Sequence, residues 1–258
     1  MQGSIKVNSS KNSAVAILCA SPKVKGTTTL ANVPVIEEVK RIIEVLTSIG
    51  IKIVWTGEHG LKIINDGEIN LANLNYESFS RTRSGLLLIG SLCAIKQNFS
   101  LPKTGGCNLG KRTVNPHILA LEHLGFKIEE TAVSYIISRE NARGAEFVMY
   151  ESGDTATENT IMAASLIGGK TTVHFASSNY MVRDLCCFLK KAGAKISGLD
   201  SFKITINGVK KLDAVKNYPI MPDPIEAMTL ISIAITTQSQ LKIIGCPIDF
   251  LRLELEKL

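Results

Sequence analysis

The chain has 258 residues and a formal net charge of +6; 45% of its residues are hydrophobic and 20% charged. That balance fits a soluble globular protein with a sizeable core, in one large domain or two smaller ones. Aromatic residues make up only 5% and no basic tract reaches five residues, which argues against a nucleic-acid groove; a solvated basic surface or phosphorylated small substrates fit the charge better.

Met1-Gln-Gly-Ser4 is polar and predicts no secretory leader. Asn12-Ser-Ala-Val-Ala-Ile17 opens an apolar segment, and Lys25-Gly-Thr-Thr-Thr-Leu30 reads as a strand after a turn. Val35, Val39, Ile42, Ile43 and Leu46 then mark one face of an amphipathic helix, which ends at Gly50 before a strand at Ile51-Lys-Ile53. Leu61-Lys-Ile-Ile64 is a further short strand. The longest apolar stretch, Gly85 to Ile95, is too short to span a bilayer and contains Gly90 and Ser91. A helix over Ile118 to Leu124 ends at Gly125-Phe-Lys-Ile128, and short strands follow at Ser134 to Ile137 and Glu146 to Met149.

The pattern of the first unit then returns. Asn159-Thr-Ile-Met-Ala-Ala164 echoes Asn12 to Ile17. Gly169-Lys-Thr-Thr-Val173 echoes the strand, Val182, Leu185, Phe188 and Leu189 mark the helix, and Gly193-Ala-Lys-Ile196 closes it. Gly26 to Gly50 and Gly169 to Gly193 have the same spacing, and Leu46, Leu121 and Leu189 each stand four residues before a closing glycine. Phe202 to Ile206 adds a strand, and Pro219, Pro222 and Pro224 mark a boundary. A fourth copy starts at Glu226-Ala-Met-Thr, runs through Leu241-Lys-Ile-Ile-Gly245 and continues to Leu251, Leu255 and Leu258. Its closing strand is absent, so the pattern predicts a chain incomplete at its C-terminus, or one that completes a partner chain. Alternating strands and helices in repeated units predict an α/β domain of three such units, with helices packed inside sheets.

Six cysteines show neither zinc-site spacing nor a secreted framework, which predicts free thiols in a reducing cytoplasm. Cys19, Cys93, Cys186, Cys187 and Cys246 sit among apolar neighbours and read as small buried hydrophobes. Cys107 differs: it lies in Thr104-Gly-Gly-Cys-Asn-Leu-Gly-Lys-Arg112, where glycines let the backbone bend and Lys103, Lys111 and Arg112 crowd positive charge around the thiol. The same cations suit an anionic substrate.

With Asn8-Ser-Ser-Lys-Asn12, Thr82-Arg-Ser84, Ala156-Thr-Glu-Asn159 and Pro222-Asp-Pro-Ile-Glu226, that loop resembles the UDP-N-acetylglucosamine enolpyruvyl transferases along the whole chain. The shikimate-pathway relatives share the repeat fold but lack the cysteine loop. The resemblance implies inside-out α/β barrel domains of three repeats each: residues 11–221 as one whole domain, 1–10 and 222–258 as part of a second. It also implies transfer of the enolpyruvyl group of phosphoenolpyruvate to the 3′-hydroxyl of UDP-N-acetylglucosamine, a step of peptidoglycan synthesis, in the cytoplasm. No cofactor, metal, nucleic acid or membrane is implied.

Residue by residue, Cys107 matches the family's general acid and the target of epoxide antibiotics such as fosfomycin. Lys11 and Arg112 match cations at the phosphoenolpyruvate site, and Arg83 another arginine of the active site. Asn12 matches a contact to the sugar nucleotide, and Thr113, Val114 and Asn115 the segment that holds the uracil ring. The family usually has proline at 113 and aspartate at 115. His117 matches a family histidine or caps the following helix. Ser152, Gly153, Asp154 and Thr155 lie where a short loop receives the diphosphate, with one residue more than the family pattern. The family's carboxylate base and further arginines would lie beyond Leu258, so the resemblance implies a chain that does not turn over alone. The alternative is a non-catalytic half-site that binds anions or sugar nucleotides with a partner chain.

Overall fold

The structure, a computed structural model, describes residues 2–105 and 113–258. In chain order its strands and α-helices are β1 (Gln2–Lys6), α1 (Lys11–Ala20), β2 (Val24–Ala31), α2 (Glu37–Ser48), β3 (Lys52–Thr56), β4 (Gly60–Asn65), α3 (Tyr76–Ser80), α4 (Leu87–Cys93), β5 (Asn98–Pro102), α5 (Asn115–His123), β6 (Phe126–Glu130), β7 (Ser134–Arg139), β8 (Glu146–Val148), α6 (Asp154–Ala164), β9 (Lys170–His174), α7 (Tyr180–Lys191), β10 (Lys195–Ser197), β11 (Lys203–Asn207), β12 (Leu212–Asp213), β13 (Tyr218–Pro219), α8 (Pro224–Thr236), β14 (Gln240–Ile244) and α9 (Arg252–Leu255).

One motif recurs three times: strand, helix, strand, strand, with the last strand in the middle of an antiparallel sheet. The orders are β2-β4-β3, β5-β7-β6 and β9-β11-β10. β8 adds to β9 in parallel, and β12 and β13 add to β2 in parallel. The linking helices α2 and α7 bury one face, through Val39, Ile42, Val45 and Leu46, and through Val182, Leu185, Phe188 and Leu189. Inside the sheets lie α1, α4 and α6. Every residue of α4 is buried, as are residues 13–20 of α1 and 156–164 of α6. Helices are thus inside and sheets outside, as the repeats predict. The three sheets remain separate and do not close into a continuous barrel.

Close helix approach depends on small residues. A Cβ on Gly90 of α4 would sit 2.3 Å from the Asn159 carbonyl of α6, so only glycine fits there. Closing glycines Gly50, Gly125 and Gly193 all have left-handed φ, at +105°, +85° and +103°, which reverses the chain after α2, α5 and α7. Leu46, Leu121 and Leu189 are fully buried beneath them.

The fourth copy is built differently. β1 pairs in parallel with β14, beside α8. Val7, Ala227 and Leu251 form an apolar cluster separate from the main core. At the end of the fourth copy α9 is a single turn, and Leu253 and Leu258 face solvent while Leu251 is buried. No described helix is long and apolar enough to cross a membrane.

Candidate active site

At one end of the molecule the first turns of six helical segments touch one another. The Glu38 carboxylate of α2 accepts Lys11 Nζ of α1 at 2.8 Å, Thr82 Oγ1 at 3.2 Å and, in a short bond, Ser84 Oγ. Thr82 caps a 3₁₀ turn, Arg83–Leu86, which leads into α4. Arg83 donates to the Thr113 carbonyl at 3.4 Å, just before α5. His117 of α5 lies 3.3 Å from Thr155 Oγ1 of α6. Asp154, the first residue of α6, accepts Ser177 Oγ at 2.5 Å and Asn179 Nδ2 at 3.1 Å. Asn179 caps α7, whose Tyr180 hydroxyl meets Asn12 Nδ2 of α1 at 3.1 Å.

These contacts link the helix starts in a closed ring, α1–α2–α4–α5–α6–α7, with α4 joined through the 3₁₀ turn before it. Each N-terminus carries about half a positive charge in unpaired N–H groups. The residues just before α5 and α6, Val114 and Gly153, give their helix starts no side-chain cap among the described residues. Such ends are suited to anions.

Charge within the ring is tuned by burial and pairing. Burial pushes the Glu38 carboxyl up, but hydrogen bonds from Lys11 and Ser84, the Lys11 charge and the Thr82 hydroxyl outweigh it, so the group lies below its ordinary value. Burial, aided by the Arg83 charge, pushes His117 down to about 4, so the ring is neutral near pH 7. One turn below Asp154, Glu158 is 1% exposed, and one of its carboxyl oxygens has no partner among the described residues. Burial first, then the Asp154 charge, push it well above the carboxylate range.

Of the expected site residues, Asn12 and Asp154 line one cavity of about 830 Å³, together with Tyr180, Ile225 and Met228 of α8, and Phe250. Lys11 instead borders a second cavity of about 550 Å³, near Lys6, His59 and Asp223. Thr113 is exposed and accepts Asn115 N–H through its hydroxyl at 3.1 Å; Val114 is half-buried and Asn115 exposed. Ser152 and Gly153 are half-buried ahead of α6, and Thr155 is exposed. Cys107 and Arg112 lie outside the described residues. On the described flanks of their segment, the Thr113 carbonyl accepts from Arg83, and a Cβ on Gly105 would collide with the Ser80 carbonyl at the end of α3.

Cys19, Cys93 and Cys186 are buried, with thiols pushed up by burial; Cys187 and Cys246 are only half-buried. Sequence reasoning missed Glu38, Ser177, Asn179 and Tyr180. Glu38 sits in a helical first turn, where an acid is ordinary, so nothing in the chain marks it. Among the described residues no group of three or more His, Cys, Asp or Glu could hold a metal.

The model of the family described as EPSP synthase (3-phosphoshikimate 1-carboxyvinyltransferase) matches residues 1–258. A UDP-N-acetylglucosamine 1-carboxyvinyltransferase of Wolbachia pipientis subsp. Culex pipiens is 37% identical over 249 residues, 94% of this chain and 58% of that protein. One from Legionella pneumophila, named UDP-N-acetylglucosamine 1-carboxyvinyltransferase 1, is 36% identical over 253 residues, 97% of this chain and 50% of that protein. The chain therefore spans about half the length of these curated relatives. Among solved structures, the enolpyruvyl transferase NikO from Streptomyces tendae superposes with a TM-score of 0.77 at 18% identity, over 89% of this chain and 54% of its own. An EPSP synthase from Acinetobacter baumannii gives 0.71 at 18%, over 91% and 53%. At that identity both show the shared fold.

Proposed function

The chain belongs to the EPSP synthase (3-phosphoshikimate 1-carboxyvinyltransferase) family, and on that premise we propose that it serves enolpyruvyl transfer from phosphoenolpyruvate to the 3′-hydroxyl of UDP-N-acetylglucosamine. The sugar nucleotide is favoured over shikimate 3-phosphate by relatives at 36–37% identity that carry that substrate in their names, and by the cysteine loop. The observation that carries the reading is the ring of six helical N-termini with Lys11 and Arg83 on it. Both substrates are polyanions, and such a ring holds oxyanions without reorganising.

In this reading the 3′-hydroxyl gives its proton to a carboxylate base and its oxygen bonds to C2 of phosphoenolpyruvate, while the C2=C3 π pair takes a proton at C3. Loss of a C3 proton and of phosphate then restores the double bond in the product. Cys107, in its basic loop, donates the C3 proton, because a thiol poised near neutrality suits proton donation at physiological pH. Arg83, Lys11 and Arg112 hold phosphate and carboxylate. Asn12 meets the sugar nucleotide, Thr113 to Asn115 the uracil, and Ser152 to Thr155 the diphosphate at the uncapped start of α6. Residues 11–221 form the unit that carries these groups, with 1–10 and 222–258 belonging to a second unit. The separate cluster around Val7, Ala227 and Leu251 supports that division. Catalysis of this kind places the protein in peptidoglycan synthesis in the cytoplasm.

Calorimetric titration tests the reading. UDP-N-acetylglucosamine should bind wild type, and Arg83→Ala should weaken it about tenfold or more. Preferential binding of shikimate 3-phosphate would overturn it.

A further inference from the structure

His117 is 5% exposed, and its surroundings settle which nitrogen carries its hydrogen. The Asn159 amide oxygen accepts Gly90 N–H at 2.9 Å, and its Nδ2 donates to the Leu86 carbonyl at 2.9 Å. Turning that amide over would set donor against donor at Gly90 and acceptor against acceptor at Leu86, so its orientation is fixed. The other Nδ2 hydrogen then points at His117 Nδ1, 2.8 Å away, and Nδ1 must accept it. A neutral imidazole that accepts at Nδ1 carries its hydrogen on Nε2. That nitrogen faces Thr155 Oγ1 at 3.3 Å.

Thr155 therefore accepts from within the protein, and its own hydrogen must go elsewhere. The side chain is exposed, and no acceptor among the described residues takes that hydrogen. The adjacent Asp154 carboxylate is already engaged by Ser177 and Asn179. We infer that His117 and Asn159 are positioning residues that commit the Thr155 hydroxyl to donate outward, to a phosphoryl oxygen that carries no hydrogen. A free hydroxyl can turn its hydrogen in any direction; with His117 donating to Thr155, this hydrogen is held facing outward, toward an acceptor such as a diphosphate oxygen. The inference rests on the reading above that places a diphosphate at residues 152–155.

Two measurements on the full chain test it separately from that reading. Long-range ¹H–¹⁵N correlation on histidine-labelled protein resolves four histidines, and His117→Gln assigns the signal. The expected pattern is the Nε2–H tautomer, unchanged from about pH 5.5 to 8. An Nδ1–H pattern, or protonation near the ordinary histidine value of about 6.5, overturns the relay whatever the ligand. Titration with UDP-N-acetylglucosamine and with uridine tests the aim of the hydroxyl. Thr155→Val should weaken the nucleotide about tenfold and leave uridine unchanged, and His117→Phe should add nothing to Thr155→Val in the double variant. Equal losses for uridine, or additive losses in the double variant, contradict it. Wild type that binds no sugar nucleotide sinks the proposed function, while the tautomer still decides the relay.

Discussion

Glu38 and Glu158 are acids in helices that meet the same ring, yet their environments drive them in opposite directions. Glu38 collects an ammonium and two hydroxyls, so its folded-state value lies below its unfolded one. Its contribution is present above the unfolded value of about 4.3 and is lost as pH falls through the folded value. Glu38→Gln should lower the melting midpoint at pH 7 by about 2–4 °C, the effect of losing about 1 kcal/mol of hydrogen bonding in a domain this size. The gap should narrow as pH falls below the unfolded value, and an equal gap at pH 7 and pH 3 contradicts the assignment. Glu158 has a folded value above its unfolded one. It holds its proton at a cost that grows as pH rises from the unfolded value toward the folded value. Glu158→Gln should therefore be more stable than wild type at pH 8 and no different at pH 4, read from melting curves. A variant less stable at pH 8 would show that the carboxylate is a needed charge.

At the scale of the element, the outer helices were legible and the inner ones were not. α2 and α7 bury one face and expose the other, so their period shows in the chain. α1, α4 and α6 are apolar or small on every side, because they are buried all round, and periodicity has nothing to report there. α1 and α6 showed only through the echo of Asn12 in Asn159, and α4 only as an apolar stretch. The ring was not legible at all, since it joins six segments between Lys11 and Tyr180 through contacts that no local pattern encodes. Site residues came instead from motif resemblance, which marks positions and not their partners.

The closing glycines, by contrast, were read correctly and differ in what they tolerate. A Cβ at Gly193 meets nothing within 4 Å, whereas at Gly125 it would stand 2.2 Å from the Asn141 carbonyl. Gly193→Ala should cost only the left-handed strain of about 1–2 kcal/mol. Gly125→Ala should cost clearly more, as measured by urea denaturation. Equal losses would mean that Asn141 moves aside freely.

Across the whole molecule, polar chemistry gathers at the helix N-termini while apolar surface gathers on the fourth copy of the repeat. Ile225, Ile233 and Ile235 of α8 are exposed, as are Leu253 and Leu258. Exposed apolar side chains of that kind promote association. Light scattering should rise with protein concentration, and Ile233→Lys with Ile235→Lys should suppress the rise; scattering unaffected by both changes would place the sticky surface elsewhere. The buried side chains of the main core, including Ala14 to Ala20, Leu86 to Cys93 and Ile161 to Ala164, form a cluster distinct from that of Val7, Ala227 and Leu251, although Phe250 of the fourth copy packs against the main core.

Intact mass after incubation with fosfomycin tests the central claim most directly, with and without UDP-N-acetylglucosamine and with Cys107→Ser alongside. The proposed role of Cys107 as a reactive thiol predicts one adduct on wild type, formed faster with the sugar nucleotide, and none on Cys107→Ser. No adduct on wild type, or the same adduct on the variant, would contradict it.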